Sequence, residues 1–299
     1  MKQHLLFYFF GFLFMASCDV INPSEDIPFF ITVPSIDFCV HDSCYDESYA
    51  RGSNSHQIVD AWVFVDDNLL GAFELPATVP VLKSGNVKIS VQGGIKSNGI
   101  IGDSKQYDFF EPYNLYVNGV PGSSIALSPT VTYRSNLLIW NENFDLEDSG
   151  IKMESYINSD TNMFVTQDST EVFEGAGSGK VVITNYKERY RGMSSTRFNF
   201  PKNRVIIAEI NYKCNNDFGI GIRTDFGSTD NIYPLALILK PTYNETLGEY
   251  EWRKIYVDLS YAVGTQPNGY PQQLFFEMIN NGNEPAKLYV DNVKIIFGK

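Results

Sequence analysis

Two sets of residues in this chain are of types that could do chemistry. The first is acidic: Glu25-Asp26, Asp66-Asp67 and Glu147-Asp148 are adjacent pairs. Glycoside cleavage needs two carboxylates that face each other across a bond. Neighbouring acids in turn-rich segments point into solvent instead, so they do not predict a catalytic dyad. Histidine is scarce, and beyond residue 17 only His41 and His56 occur, without metal-ligand spacing. No Gly-x-Ser-x-Gly elbow, phosphate loop or His-Glu-x-x-His helix is present. The sequence therefore predicts a protein without an active site. The second set is aromatic and polar. Trp252 and Tyr256 share one side of a strand pattern, while Glu209, Asn211 and Arg223 take the polar positions of two others. An aromatic ring can lie under a pyranose while amide, carboxylate and guanidinium groups bind its hydroxyls. These five are the expected ligand-binding residues, with loop residues Tyr186, Tyr190 and Tyr233 as alternative stacking platforms.

The elements that must carry them are strands. Ile206, Ala208, Ile210, Tyr212 and Cys214 alternate with Glu209, Asn211 and Lys213. Phe218, Ile220 and Ile222 alternate with Gly219, Gly221 and Arg223, and Ile255, Val257 and Leu259 with Lys254, Tyr256 and Asp258. A period of two predicts sheets with one apolar face and one polar face presented to solvent. Aromatic residues at 14% and charged residues at 19% suit packed β-structure. Residues 28–134 hold short strands between Gly and Pro turns, including a hairpin about Asp66-Asp67-Asn68, and predict a small immunoglobulin-like sandwich. The fold class expected is all-β, with a second sandwich over residues 136–299.

Three segments of that second block carry a family resemblance. Trp140-Asn141-Glu142-Asn143-Phe144-Asp145, the loop-and-strand run Val172 to Ile183, and Leu288-Tyr289-Val290-Asp291-Asn292-Val293 occur in that order. The block resembles jelly-roll carbohydrate-binding modules, which implies a C-terminal jelly roll that takes a glycan. The resemblance also implies a structural calcium, held by Asp145, the Glu174-Gly175 loop and Asp291.

The N-terminus gives an address. Lys2 and His4 precede an apolar run from Leu5 to Phe14, which ends in Met15-Ala16-Ser17-Cys18. This has the layout of an export signal and is too short for a spanning helix. It resembles a bacterial lipoprotein signal, so residues 1–17 are expected to be removed, Cys18 lipidated and residues 18–27 left as a linker. Loss of Lys2 moves the net charge from -12 to about -13, and with no basic run nucleic acid is not an expected partner. The architecture resembles envelope lipoproteins that accompany outer-membrane nutrient importers. That resemblance implies an outer-membrane or cell-surface location, membrane attachment through the lipid, a glycan or peptide ligand and a transporter complex as partner. The alternative is an adhesin or accessory structural subunit that binds other envelope proteins. Cys39 and Cys44 are spaced to staple a loop by a disulfide in an oxidising compartment. Cys214 ends an apolar strand face and is expected to be a buried, inert thiol.

Overall fold

Alternation of apolar and polar residues writes most of the architecture, and the computed structural model describes it for residues 25–40, 52–145, 150–227, 234–282 and 284–299. The fold is all-β: an immunoglobulin-like sandwich followed by a jelly-roll sandwich. The signal segment, Cys18, His41, Cys44, Glu147-Asp148 and Tyr233 lie outside the described residues.

In the N-terminal sandwich, Asp60–Val65 pairs antiparallel with both Asn68–Glu74 and Gly85–Lys96, and Tyr113–Gly119 adds to the far side of Gly85–Lys96. The hairpin turn forms where Asp66 and Asp67 take positive φ of 47° and 65°, values that short acidic side chains tolerate. The opposing sheet is built on Phe29–Val33, antiparallel to Ala77–Val81 and parallel to Ser124–Ala126. Phe29–Val33 stops before Pro34, which cannot donate to a ladder, and pairing resumes at Asp37–Phe38. Phe29, Ile31, Val63, Ile89 and Val91 meet between the sheets with no exposed surface.

The jelly roll closes with two antiparallel sheets. The larger has six strands, in the order Phe164–Thr166, Ser178–Ile183, Ala286–Gly298, Ile206–Cys214, Arg253–Asp258, with Leu137–Glu142 also on Ala286–Gly298. The smaller has five, in the order Met153–Ser155, Arg189–Ser194, Gln272–Ile279, Phe218–Thr224, Leu235–Leu239. Between them Ile210, Ile220, Val257, Phe276 and Leu288 form the core. Cys214 sits there as a buried free thiol, and burial pushes its pKa up to about 12, so it is inert as expected. Cys39 is disulfide-bonded, and its expected partner Cys44 lies outside the described residues.

Four buried residues of the large sheet, Leu137, Ile207, Tyr256 and Ile296, pack into the core of the N-terminal sandwich rather than into their own. The two sandwiches are thus joined through a continuous apolar and polar contact. No helix among the described residues is long and apolar enough to cross a membrane.

Candidate functional site

The outer face of the six-stranded sheet, turned away from the core by alternation, carries mostly polar side chains, with Ile207 and Ile296 as apolar positions where the N-terminal sandwich packs. The N-terminal sandwich covers one end of it. There Glu209 pairs across strands with Lys294 on one side and Tyr256 on the other. Its Oε1 accepts from Tyr107 Oη at 2.7 Å and Tyr133 Oη at 2.8 Å, and Lys254 Nζ stands 3.3 Å from Oε2 as an ion pair. Lys294 Nζ donates to the Ser53 carbonyl at 2.8 Å and to Tyr133 Oη at 3.3 Å. Gly52, at φ 82°, lets the covering loop pass over this lysine; a Cβ there would stand 2.7 Å from Lys294 Cε. Backbone N–H of Gln57 donates to Tyr256 Oη at 3.0 Å, and Asn98 caps the outer strand by donating to the Tyr256 carbonyl at 2.9 Å.

Here the sequence expectation is corrected. Glu209 and Asn211 are 1% exposed and Tyr256 is 2% exposed, so the face foreseen as open to solvent is closed at these positions. Glu209 and Tyr256 lie in a sealed domain contact, and Asn211 is buried between Lys254 and Asp291 of the neighbouring strands. Burial works to raise the Glu209 pKa, but Lys254, Lys294 and the two tyrosine hydroxyls outweigh it and hold the carboxyl below its ordinary range. Burial lowers Lys254, and it lowers Lys294 to about 7 despite the attraction of Glu209. Arg223 belongs to the smaller sheet and shares no face with Glu209 or Asn211. It is buried, with its guanidinium 5.1 Å from the Tyr156 ring and bonded to Gln273 and Asp225. Tyr190, an alternative platform, is fully buried, whereas Tyr186 is exposed.

The other end of the same face is uncovered by the N-terminal sandwich. A stripe crosses it, alternating ring and ammonium: Phe164 opposes Lys180, Lys180 opposes Tyr289, and Tyr289 opposes Lys213. Lys180 Nζ stands 5.9 Å from the Phe164 centroid and 5.6 Å from Tyr289; Lys213 Nζ stands 5.0 Å from Tyr289 and 5.3 Å from Trp252. These are cation–π distances. The loop before Ser178 rests on the stripe. Glu171 accepts from both Lys180 and Tyr289, the Thr170 carbonyl accepts from Lys213, and Phe173 packs on Trp252 at 5.4 Å. Beside the loop opens a groove of about 300 Å³, lined by Thr170, Glu171, Lys213, Tyr250, Lys287 and Tyr289 among others. Of the five expected ligand residues only Trp252 belongs to this end, half-buried and joined to the groove through Lys213. The others in the groove were missed because each looks like an ordinary polar strand or turn position. Their only sequence signal is an aromatic or lysine at each alternate outward place, and it becomes legible only with the register.

Asp145 and Asp291 do converge on the Glu174-Gly175 loop. Ala176 N–H donates to Asp145 Oδ1 at 2.6 Å, and Asp291 Oδ2 accepts from Ser178 Oγ at 2.7 Å and Glu174 N–H at 3.3 Å. Burial, with Glu174 nearby, raises the Asp291 pKa to about 7. A buried carboxylate with lone pairs to spare suits a cation chemically. Among the described residues, however, no three Asp, Glu, His or Cys side chains converge as a metal shell. His56 caps a loop beside Phe38, 6.2 Å between ring centroids, and serves packing.

No protein-family model and no curated protein matches the sequence. Among solved structures the chain is similar to a carbohydrate-binding module of the β-sandwich superfamily, with 13% identity, 91% of this chain and 98% of that one covered, and a TM-score of 0.38. A xylan-binding domain from Paenibacillus barcinonensis matches at 15% identity over 54% of this chain and 94% of its own, with a TM-score of 0.36. A cleaved adhesin domain of Lys-gingipain from Porphyromonas gingivalis matches at 12% identity over 53% and 97%, with a TM-score of 0.37. Likenesses at these scores carry no argument about ligand, which rests on the residues of the groove.

Proposed function

We propose that this chain is a non-catalytic envelope lipoprotein, tethered through Cys18 to the outer membrane, whose jelly roll captures a glycan for an uptake system. The observation that carries the binding role is the groove at the uncovered end of the large sheet, where Tyr250 stands 43% exposed beside Tyr289, Lys213 and Lys287. A ring, ammonium donors and a hydroxyl-rich wall are what a sugar needs for stacking and hydrogen bonding. The full chain applied to a glycan array tests the reading. Binding that Tyr250→Ala and Trp252→Ala weaken supports it, and an array without signal removes it. Cys18→Ala tests the tether, and release from the membrane fraction is expected. A structural calcium at the Glu174-Gly175 loop belongs to the same proposal, with Asp145 and Asp291 supplying charge. A fall in melting temperature on chelation supports the ion, and an unchanged curve removes it.

A second reading, an adhesin or accessory subunit, draws on the N-terminal sandwich. Tyr116 and Leu69 stand 70% and 53% exposed there, on strands of the sheet whose outer side the jelly roll leaves free. Co-purification of envelope proteins with the full chain, lost in Tyr116→Asp, would favour that role.

A further inference from the structure

Charge in the groove is unevenly committed. Its acidic wall residue, Glu171, is saturated: it accepts two bonds from Lys180 Nζ at 2.5 and 2.6 Å, one from Thr166 Oγ1 at 2.7 Å and one from Tyr289 Oη at 2.8 Å. Those donors outweigh burial and hold its carboxyl below the ordinary range. Asp168, one turn earlier, spends Oδ1 on the Thr170 N–H and hydroxyl. The two lysines that line the groove differ from Lys180. Lys213 Nζ donates to one neutral acceptor, the Thr170 carbonyl at 2.9 Å, and otherwise faces the rings of Trp252 and Tyr289. Burial lowers its pKa, and the more distant Glu171, Glu249 and Asp168 only oppose that effect. Lys287 is exposed on the last strand, and neither lysine stands in an ion pair among the described residues. In a chain of net charge -12, the groove thus holds two ammoniums without a carboxylate partner beside an exposed ring.

We infer that the groove selects an anionic sugar, with its carboxylate or sulfate received by Lys213 and Lys287 and its ring set against Tyr250. The inference rests on the glycan-binding reading above and narrows it to a ligand class. An ammonium already seated on ring faces keeps free N–H donors and is part-desolvated, so an incoming anion need strip less water from it than from an exposed lysine. The protein's own negative charge repels acidic polymers at long range, which leaves recognition to close contacts and makes it sensitive to these two side chains.

The test is titration calorimetry of the full chain with oligogalacturonate, with chondroitin sulfate oligosaccharide and with a neutral galactan oligosaccharide of matched length. The expected result is that an anionic probe binds at least about tenfold more tightly than the neutral one, weakens as salt is raised, and loses about tenfold in Lys287→Ala and again in Lys213→Gln. The carboxylated and sulfated probes separate the two anion chemistries. Because Lys287 is exposed, its variant will fold, which an unchanged melting curve verifies. Equal binding of neutral and anionic probes, indifferent to salt and to both lysines but lost in Tyr250→Ala, would overturn the anionic class and leave glycan capture standing. Failure of all three probes alongside a positive glycan array would likewise overturn it. Failure of the probes and the array together would remove the glycan reading itself.

Discussion

Glu209 and Lys213 lie four residues apart on one strand, point to the same side of one sheet, and live in different media. Around Glu209 the N-terminal sandwich contributes Tyr107, Tyr133, Ser53 and Gln57, and water is excluded. Around Lys213 the short loop at Thr170 and Glu171 gives partial cover, and the groove stays open beside it. Both ends carry lysines and aromatic rings in alternation. What differs is whether each charge has been given a partner to replace water. At the covered end a carboxylate is shared between two ammoniums and two phenols, because an unpaired charge there would be prohibitive. At the open end ammoniums can stand without counter-charges, because solvent serves them until a ligand does. A polar strand position is therefore not a binding position until its cover is known.

Breaking the covered network should give the largest effect. Glu209→Ala strands Lys254 and Lys294 in a dry contact, and a loss of about 3–5 kcal/mol in urea unfolding is expected. A loss below about 1 kcal/mol would mean that water reaches the seam and that the two ends do not differ. Tyr107→Phe and Tyr133→Phe each delete one donor to a charged acceptor, so about 1.5–3 kcal/mol apiece is expected. Because both bond to the same Oε1, the double variant should depart from additivity, which a double-mutant cycle measures.

Titration sharpens the contrast. Lys294, lowered to about 7 chiefly by burial, binds fewer protons in the folded state than in the unfolded chain between pH 7 and its ordinary 10.5. Stability should rise with pH across that window, and Lys294→Met should flatten the rise. Asp291 has the opposite sign. In chelator, with its pKa raised to about 7 by burial, the folded state holds a proton that the unfolded chain releases above 3.8, so stability should fall from pH 4 to 7. Urea midpoints of wild type and Asp291→Asn over that range test it, and superimposable slopes would refute it. Least affected should be the open end: Lys287→Ala is expected within about 0.5 kcal/mol of wild type in the same assay.

Alternation alone dictated the strands, their apolar faces, the Asp66-Asp67 turn and the burial of Cys214, because a period of two fixes the side of the strand on which each residue lies. The juxtaposition of Asp145 and Asp291 is not in the alternation; only the resemblance of three segments to jelly-roll modules implies it. Nor could alternation say what stands opposite a polar face. Glu209 finds Tyr107 and Tyr133 at separations of 102 and 76 residues, and Lys294 finds Ser53 at 241. Those distances are closed only by packing one sandwich on the other, which turned Glu209 and Tyr256 from expected ligand residues into a sealed seam. Further along the same face, beyond that seam, Tyr289, Lys213 and Tyr250 meet at a groove. Strand periodicity records orientation, while solvent exposure depends on contacts made across the whole chain, and only the tertiary structure contains those.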